Sequence, residues 1–152
     1  MDKQVLIEKF QIPREGYDII DRILTKKEQQ LIFSFPAGQS LTPEELGGLV
    51  TELAQADDVE TYIARLFHRG ILNHTEDGKK WCLGTFYGRL DIFATEETQS
   101  YDELSRQQKE QLDAWYFKAY AEWLDTLDET APTQDEDVYK RQISSGILAG
   151  RQ

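Results

Sequence analysis

The sequence predicts a mainly α-helical fold with one small β-hairpin, followed by a long helix. Helix-start signals recur three times before residue 70. Two short apolar arms then flank an Asp-Gly pair, which favours a tight hairpin turn. Farther along, apolar residues recur every three or four positions, as on one face of a helix. They are Leu104, Leu112, Trp115, Tyr116, Ala119, Tyr120, Trp123, Leu124 and Leu127.

The helix-start signals have the form of capping boxes, in which two side chains satisfy backbone N–H groups at the start of a helix. Thr25–Glu28 predicts one helix, Thr42–Glu45 predicts a second, and Asp57–Glu60 predicts a third. Two shorter apolar segments within residues 1–24, separated by Pro13, precede these helices.

Two glycines interrupt the second predicted helix. Gly47 and Gly48 each cost about 1 kcal/mol of helix stability relative to alanine. Two interpretations remain open: the glycines let another helix approach closely, or they simply make a loose helix.

The third predicted helix leads directly into the hairpin. Its inward-facing residues are expected to be Tyr62, Ile63, Leu66 and Phe67. Gly70 is expected to end the helix in the left-handed conformation. The arms at residues 71–72 and 81–83 then flank the Asp77-Gly78 turn. The order helix, helix, helix, strand, wing, strand is that of a winged helix-turn-helix.

The region after the hairpin predicts further helices. Residues 84–94 predict a turn and a short helix, and Ser100–Glu103 forms a fourth capping box that predicts the start of the long helix. The apolar stripe of that helix is interpreted as core. Its aromatic part is also compatible with a dimer interface: Trp115, Tyr116, Tyr120 and Trp123.

We expect one winged-helix domain, with its C-terminal helix, over residues 1–127. Residues 128–152 predict an acidic disordered tail, because the segment DETAPTQDED has no apolar anchors. Within the tail, Asp137–Gln142 reads DVYKRQ, which one reading frame of a transposase end sequence used in DNA library preparation encodes. We therefore expect a non-native segment at 137–142. A chance match within a charged linker is the alternative.

The composition limits the classes of protein to which the chain can belong. With 39% hydrophobic and 11% aromatic residues, the 152-residue chain can build a real core. No apolar run is long enough to span a membrane, and the N-terminus does not have the form of a secretory signal. A cytoplasmic location is therefore expected. Cys82 is the single cysteine, which excludes an internal disulfide and any iron–sulfur cluster held by the cysteines of this chain alone.

The charge distribution argues against a nucleic-acid partner. The net charge is −11 at pH 7, with −4 in residues 1–95 and −7 in residues 96–152. Proteins that bind nucleic acid neutralise phosphate groups with Lys and Arg, so an acidic surface in both halves counts against this class.

The predicted recognition helix has the wrong charge at its start. It begins with Asp57, Asp58 and Glu60, which repel phosphates where a DNA-reading helix presents donors. Wing residues Lys79 and Lys80 are offset by neighbouring acids. If the chain binds nucleic acid, the candidate contact residues are Arg65, His68, Arg69, Lys79 and Lys80.

The sequence predicts no catalytic residues, no cofactor-binding residues and no metal ligands. It has no Gly-rich phosphate loop and no recognisable nucleophile motif. His68, His74 and Cys82 could in principle gather a metal, but they lack close ligand spacing. Surface histidines and a small buried thiol are the preferred interpretation. We therefore predict that the chain is not an enzyme.

Three stretches give the chain a resemblance to a known family: Thr42–Leu46 (TPEEL), Leu66–Gly70 (LFHRG) and Trp81–Phe93. Over roughly residues 16–125 it resembles the N-terminal winged-helix region of bacterial 4Fe-4S ferredoxin-type proteins. In that family a cysteine-rich ferredoxin domain follows the long helix. The run of cysteines is absent here, so no cluster-binding role is carried over to any residue and no cofactor is predicted.

The resemblance implies an accessory or docking domain of an iron–sulfur redox protein, and thus at most an accessory domain of an oxidoreductase. The leading hypothesis is a non-catalytic winged-helix module for protein–protein interaction, an accessory to electron transfer. Its expected partner is another protein or a covalently following ferredoxin domain, with neither DNA nor a membrane involved. The alternative hypothesis is a winged-helix DNA-binding transcriptional regulator.

Overall fold

A computed structural model of the chain describes residues 1–55 and 58–130, the last three by their backbone alone. Asp57 and residues 131–152 lie outside the described residues, and with them lie most of the predicted tail and the whole DVYKRQ segment. The chain divides into two compact units, residues 1–90 and a second unit that begins at Asp91. The domain predicted over residues 1–127 covers the whole of the first unit and part of the second.

The predicted mainly helical fold with a small hairpin is confirmed. In chain order the first elements are α1 (Lys3–Lys9), a 3₁₀ helix (Arg14–Ile19), α2 (Ile20–Ile23), α3 (Lys26–Ser34), α4 (Pro43–Ala54) and α5 (Val59–His68). They are followed by β1 (Leu72–His74), β2 (Trp81–Leu83), α6 (Phe86–Glu96), α7 (Thr98–Asp102) and α8 (Arg106–Thr130).

The hairpin forms a two-stranded antiparallel sheet with a third, single-residue contribution. The strands β1 and β2 pair in the register Leu72↔Leu83, Asn73↔Cys82 and His74↔Trp81. Leu41, which lies between α3 and α4, bridges Trp81 through two backbone hydrogen bonds of 2.8 and 2.7 Å. This arrangement, with α3, α4 and α5 before the hairpin, is the layout of a winged helix-turn-helix.

Helix packing in the first unit follows the chain. The α3 helix contacts α1 and α4, α4 contacts α5, and α5 contacts β1. Gly84 is required where β2 ends, because a Cβ there would lie 2.2 Å from the Gly70 carbonyl oxygen. The side chains that are essentially fully buried include Leu6, Phe10, Ile23, Leu24, Ile32, Phe35, Leu46, Val50, Leu66, Ile71, Leu72, Phe86 and Leu90.

Two of the predicted capping boxes form as expected. Thr25 Oγ1 accepts from the Glu28 backbone N–H at 3.1 Å, and Glu28 Oε1 accepts from the Thr25 N–H at 2.8 Å. Thr42 and Glu45 make the same reciprocal pair at 3.2 and 3.0 Å. Pro43 occupies the first position of α4, where its missing N–H removes no intrahelical hydrogen bond.

The start of α5 differs from the prediction, whereas its end agrees with it. The N-cap is Asp58, whose carboxylate accepts from the Thr61 backbone N–H at 3.1 Å. This cap places the helix start at Val59 and makes an Asp57–Glu60 box the wrong assignment, because Thr61 is then the third helical residue. At the other end Gly70, with φ +81°, closes α5 as predicted.

The predicted start of the long helix is also wrong. Ser100 lies inside the separate short helix α7, and α8 begins five residues later than the predicted first residue. The capping box that forms joins Ser105 and Gln108, with hydrogen bonds of 2.9 and 3.1 Å. Both boxes have the same sequence form, but the buried Tyr101 lies in α7 and the buried Leu104 lies in the turn between α7 and α8.

The apolar stripe of α8 is buried only near its N-terminal end. Leu112 and Tyr116 are buried, and Phe117, just beside the stripe, is 51% exposed. The remaining stripe residues in α8 are of intermediate exposure: Trp115, Ala119, Tyr120, Trp123, Leu124 and Leu127. The core interpretation therefore holds for the first turns of the stripe. The α8 backbone continues helical to Thr130, three residues into the predicted tail.

A buried polar network connects four helices through residues of the first unit. Glu28, 3% exposed, accepts two hydrogen bonds from the Arg69 guanidinium, at 2.7 and 2.9 Å. Arg89, which is fully buried, donates to the Ile23 carbonyl at 2.8 Å and to the Arg69 carbonyl at 3.2 Å. The network therefore ties the start of α3 to the ends of α2 and α5 and to α6.

The two N3 glutamates of the capping boxes provide a matched test of this network. Glu28→Ala is expected to lower the free energy of unfolding by about 3 kcal/mol, because it removes the buried carboxylate that binds Arg69 as well as the cap. Glu45→Ala removes only an exposed cap and should cost clearly less. Urea denaturation followed by circular dichroism measures both. Equal losses in the two variants would contradict the role given to the Glu28–Arg69 pair.

Candidate functional site

A groove of about 660 Å³ lies on the first unit between α4, α5 and the hairpin. Its walls are mainly apolar and come from both helices and both strands. The lining residues are Pro43, Gly47, Val59, Glu60, Ile63, Ala64, Phe67, His74 and Trp81. We call this the α5–wing groove.

Three aromatic rings form one end of the α5–wing groove. The ring centroids of His74 and Trp81 are 3.9 Å apart, those of Phe67 and His74 are 5.0 Å apart, and those of Phe67 and Trp81 are 5.8 Å apart. The Phe67 and Trp81 rings meet edge to face, which is a favoured aromatic geometry. Phe67 is nevertheless 44% exposed, and His74 is exposed as well. The cluster is thus an aromatic patch in which Phe67 and His74 face solvent and Trp81 is half-buried.

The prediction that Phe67 faces the core is wrong. Leu66 takes the inward position and is 1% exposed, and consecutive residues of a helix point about 100° apart, so Phe67 turns outward. Tyr62 and Ile63 are of intermediate exposure. The succession of two large apolar residues was the signal in the sequence that one of them lies at the surface.

The backbone fixes the aromatic cluster in place. Phe67 lies at the end of α5, where the N–H of Gly70 donates to the Phe67 carbonyl at 3.1 Å and the N–H of Ile71 donates to the Leu66 carbonyl at 2.9 Å. These two bonds form a Schellman motif, which stops the helix firmly. Trp81 is held by its pairing with His74 and by its bridge to Leu41. His74 and Trp81 lie on the same face because they are directly opposite in the register.

Small residues on the two helices leave the groove open. A Cβ built at Gly47 would meet no heavy atom within 4 Å, and the same is true of Gly48. The interpretation that these glycines allow close helix packing is therefore wrong. Gly47 lines the groove from α4 and Ala64 lines it from α5, whereas Gly48 is exposed and lies outside it.

The residues predicted for nucleic-acid contact lie in separate settings. Arg69 binds Glu28 inside the first unit, with its side chain 23% exposed, so its guanidinium serves the fold. Arg65 and His68 are exposed on α5, and Lys79 and Lys80 are exposed in the hairpin loop. None of the five lines the α5–wing groove.

The acids around the groove and the loop are held by local hydrogen bonds. Glu60 is exposed and lines the groove, and Asp58 caps α5 directly before it. Hydrogen bonds from Thr61 hold the pKa of Asp58 below its ordinary value. Bonds from Thr42, with a smaller effect from the positive charge of Lys80, hold the pKa of Glu45 low as well. Asp58 and Glu45 are therefore carboxylates at neutral pH.

The two histidines and the cysteine do not form a metal site in the structure. His68 ends α5, His74 lies in β1 and Cys82 lies in β2. In residues 1–55 and 58–130, no three His, Cys, Asp or Glu side chains are grouped so that they could hold a metal ion.

Comparisons with family models, with curated proteins and with solved structures find no match to this chain. Among the helices that the structure describes, none has the length and apolar character needed to cross a membrane.

The hairpin loop offers a pH-dependent prediction. Asp77 accepts from Thr75 Oγ1 at 2.6 Å and from the Lys79 backbone N–H at 3.0 Å, and these bonds hold the pKa of Asp77 below 3.8. A lowered folded-state pKa means that the stabilisation is complete above the unfolded-state pKa. It is lost as the pH falls through the folded-state value.

Nuclear magnetic resonance can follow the Lys79 amide during acid titration. We expect its chemical shift to move with a midpoint below 3.8. In Asp77→Asn this titration step should disappear. A midpoint at or above 3.8 in the unsubstituted chain would show that the carboxylate does not hold the turn.

Proposed function

We propose that this chain is a non-catalytic winged-helix module that docks a protein segment in the α5–wing groove, within or beside an iron–sulfur redox system. The observation that carries the proposal is the solvent-facing cluster of Phe67, His74 and Trp81. It lies between α5 and the hairpin, the elements that correspond to the recognition helix and the wing of the predicted winged-helix layout.

The chemistry of this surface suits a protein partner better than DNA. Exposed aromatic residues that project from a fixed backbone are typical anchors of protein–protein interfaces. Phosphate contacts require Lys or Arg, and the α5–wing groove is lined by one charged residue, Glu60. The capping carboxylate of Asp58 adds negative charge at the start of α5, the end of a recognition helix that meets base edges.

The redox part of the proposal is supported by the resemblance of TPEEL, LFHRG and residues 81–93 to the ferredoxin-type family. With Cys82 as the single cysteine, any cysteine-ligated cluster belongs to the partner or to a further domain of a longer protein. The module would then position the cluster-bearing protein through contacts of its own apolar surface. No electron-transfer step is assigned to its side chains.

Site-specific photocrosslinking in the organism that produces the chain tests the proposal. A benzophenone amino acid placed at position 67 should form a crosslink to a protein whose mass-spectrometric identification shows cluster-ligating cysteines. The same group at Gln30, which is exposed on α3, provides the control and should not capture that protein. Trp81→Ala should weaken the crosslink from position 67, because it removes one wall of the groove.

The alternative outcomes separate the two parts of the proposal. Capture of a protein without cluster-ligating cysteines would retain the docking function and overturn the redox association. Crosslinks to DNA would favour the transcriptional regulator instead. Absence of any crosslink that is specific to position 67 would overturn docking at the α5–wing groove.

A further inference from the structure

We infer that the occupant of the α5–wing groove is an amphipathic α-helix with three apolar residues along one face and a basic residue beside them. This inference rests on the proposed docking function and specifies the chemistry of the partner. It follows from the length of the groove, the origin of its walls and its charge.

The groove has the length of two helical turns. Its lining residues on α5 extend from Val59 to Phe67, which at 1.5 Å per residue corresponds to about 12 Å along the helix axis. Apolar anchors at positions i, i+3 or i+4, and i+7 of a partner helix extend over about 10.5 Å. The apolar walls along α5 can therefore contact three such anchors.

The walls favour a helix over an extended strand. A docked strand gains its affinity from main-chain hydrogen bonds to the edge of a sheet. At Trp81 the β2 strand pairs with His74 on one side and with Leu41 on the other. Apart from His74 of β1, the rest of the lining comes from residues of the helices α4 and α5, which offer no strand edge. The groove thus offers side-chain surface, which is what the apolar face of a helix uses.

The charge of the groove selects a basic partner. Glu60 lines it, Asp58 lies beside it, and Glu44 is the exposed neighbour of the lining residue Pro43. Among the lining residues Glu60 is the one carboxylate, and apart from His74 the others are apolar, so Glu60 is the group that a partner cation can reach while its apolar residues are buried. A Lys or Arg next to the apolar stripe of the partner meets this requirement. An acidic residue in the same place is repelled.

A panel of synthetic peptides tests the inference with fluorescence anisotropy. The probe is a labelled helix-forming peptide of about 14 residues, with leucines at i, i+3 and i+7 and lysines beside them. The matched peptides have the same composition with the leucines spread around the helix, glutamates in place of lysines, or a central proline. We expect each change to weaken binding by about tenfold or more.

Two neighbouring glycines provide matched variants of the protein. Gly47→Leu should fill the groove and weaken binding of the probe by about tenfold or more, whereas Gly48→Leu should leave it within about twofold. Neither position meets a neighbour within 4 Å or has a positive φ, and both changes favour the helix, so both variants should fold. Circular dichroism and thermal unfolding check this expectation.

The results decide between the occupants. Equal binding of the probe by both glycine variants, or equal binding of the probe and the proline peptide, would overturn the helical occupant. If position 67 still captures a protein in the crosslinking experiment, the docking function stands and only the helix is wrong. If no protein is captured there, the docking function itself fails.

Discussion

The first unit depends on one carboxylate, that of Glu28. It completes the capping box with Thr25 and also accepts both hydrogen bonds from Arg69 at the end of α5. A residue of α3 thereby fixes the C-terminus of a helix 41 positions farther along the chain. Arg89 extends the connection, because it donates to the carbonyls of Ile23 and Arg69 where α2 and α5 end. Helix ends that would otherwise expose carbonyl groups to the core are satisfied in this way.

The same network determines what the surface of α5 can do. Arg69 is the basic residue closest to the hairpin at the end of α5, and its guanidinium is directed inward to Glu28 rather than toward a partner. The Schellman motif that ends α5 next to Arg69 leaves Leu66 in the core and turns Phe67 out toward Trp81. The way in which α5 ends therefore directs the Arg69 cation inward and leaves the Phe67 ring at the surface. The result is an aromatic surface held by backbone hydrogen bonds, so a partner bound there would require little ordering of the protein.

Local signals allowed much of the fold to be predicted. The boxes at Thr25 and Thr42 and the left-handed Gly70 depend on neighbouring residues alone, and they form as predicted. The Ser100 box failed because Ser105 offers the same pattern five residues later, and tertiary packing decides between them. The groove could not be predicted from local sequence signals either, because it also depends on tertiary packing. It requires Phe67 on α5 and Trp81 on β2 to meet, and this contact depends on the register of the hairpin.

The exposed aromatic cluster is costly unless it has a partner. Leaving about 90 Å² of a phenylalanine in water forfeits about 2 kcal/mol of the free energy that burial would supply. The fold does not require this arrangement, because Leu66 already fills the adjacent core position and the wing pairs through its backbone. Gly47 adds a second cost, since it weakens α4 without relieving any steric contact. The exposed phenylalanine and the glycine at position 47 are both unfavourable, and both line the α5–wing groove. A partner that fills the groove would account for both.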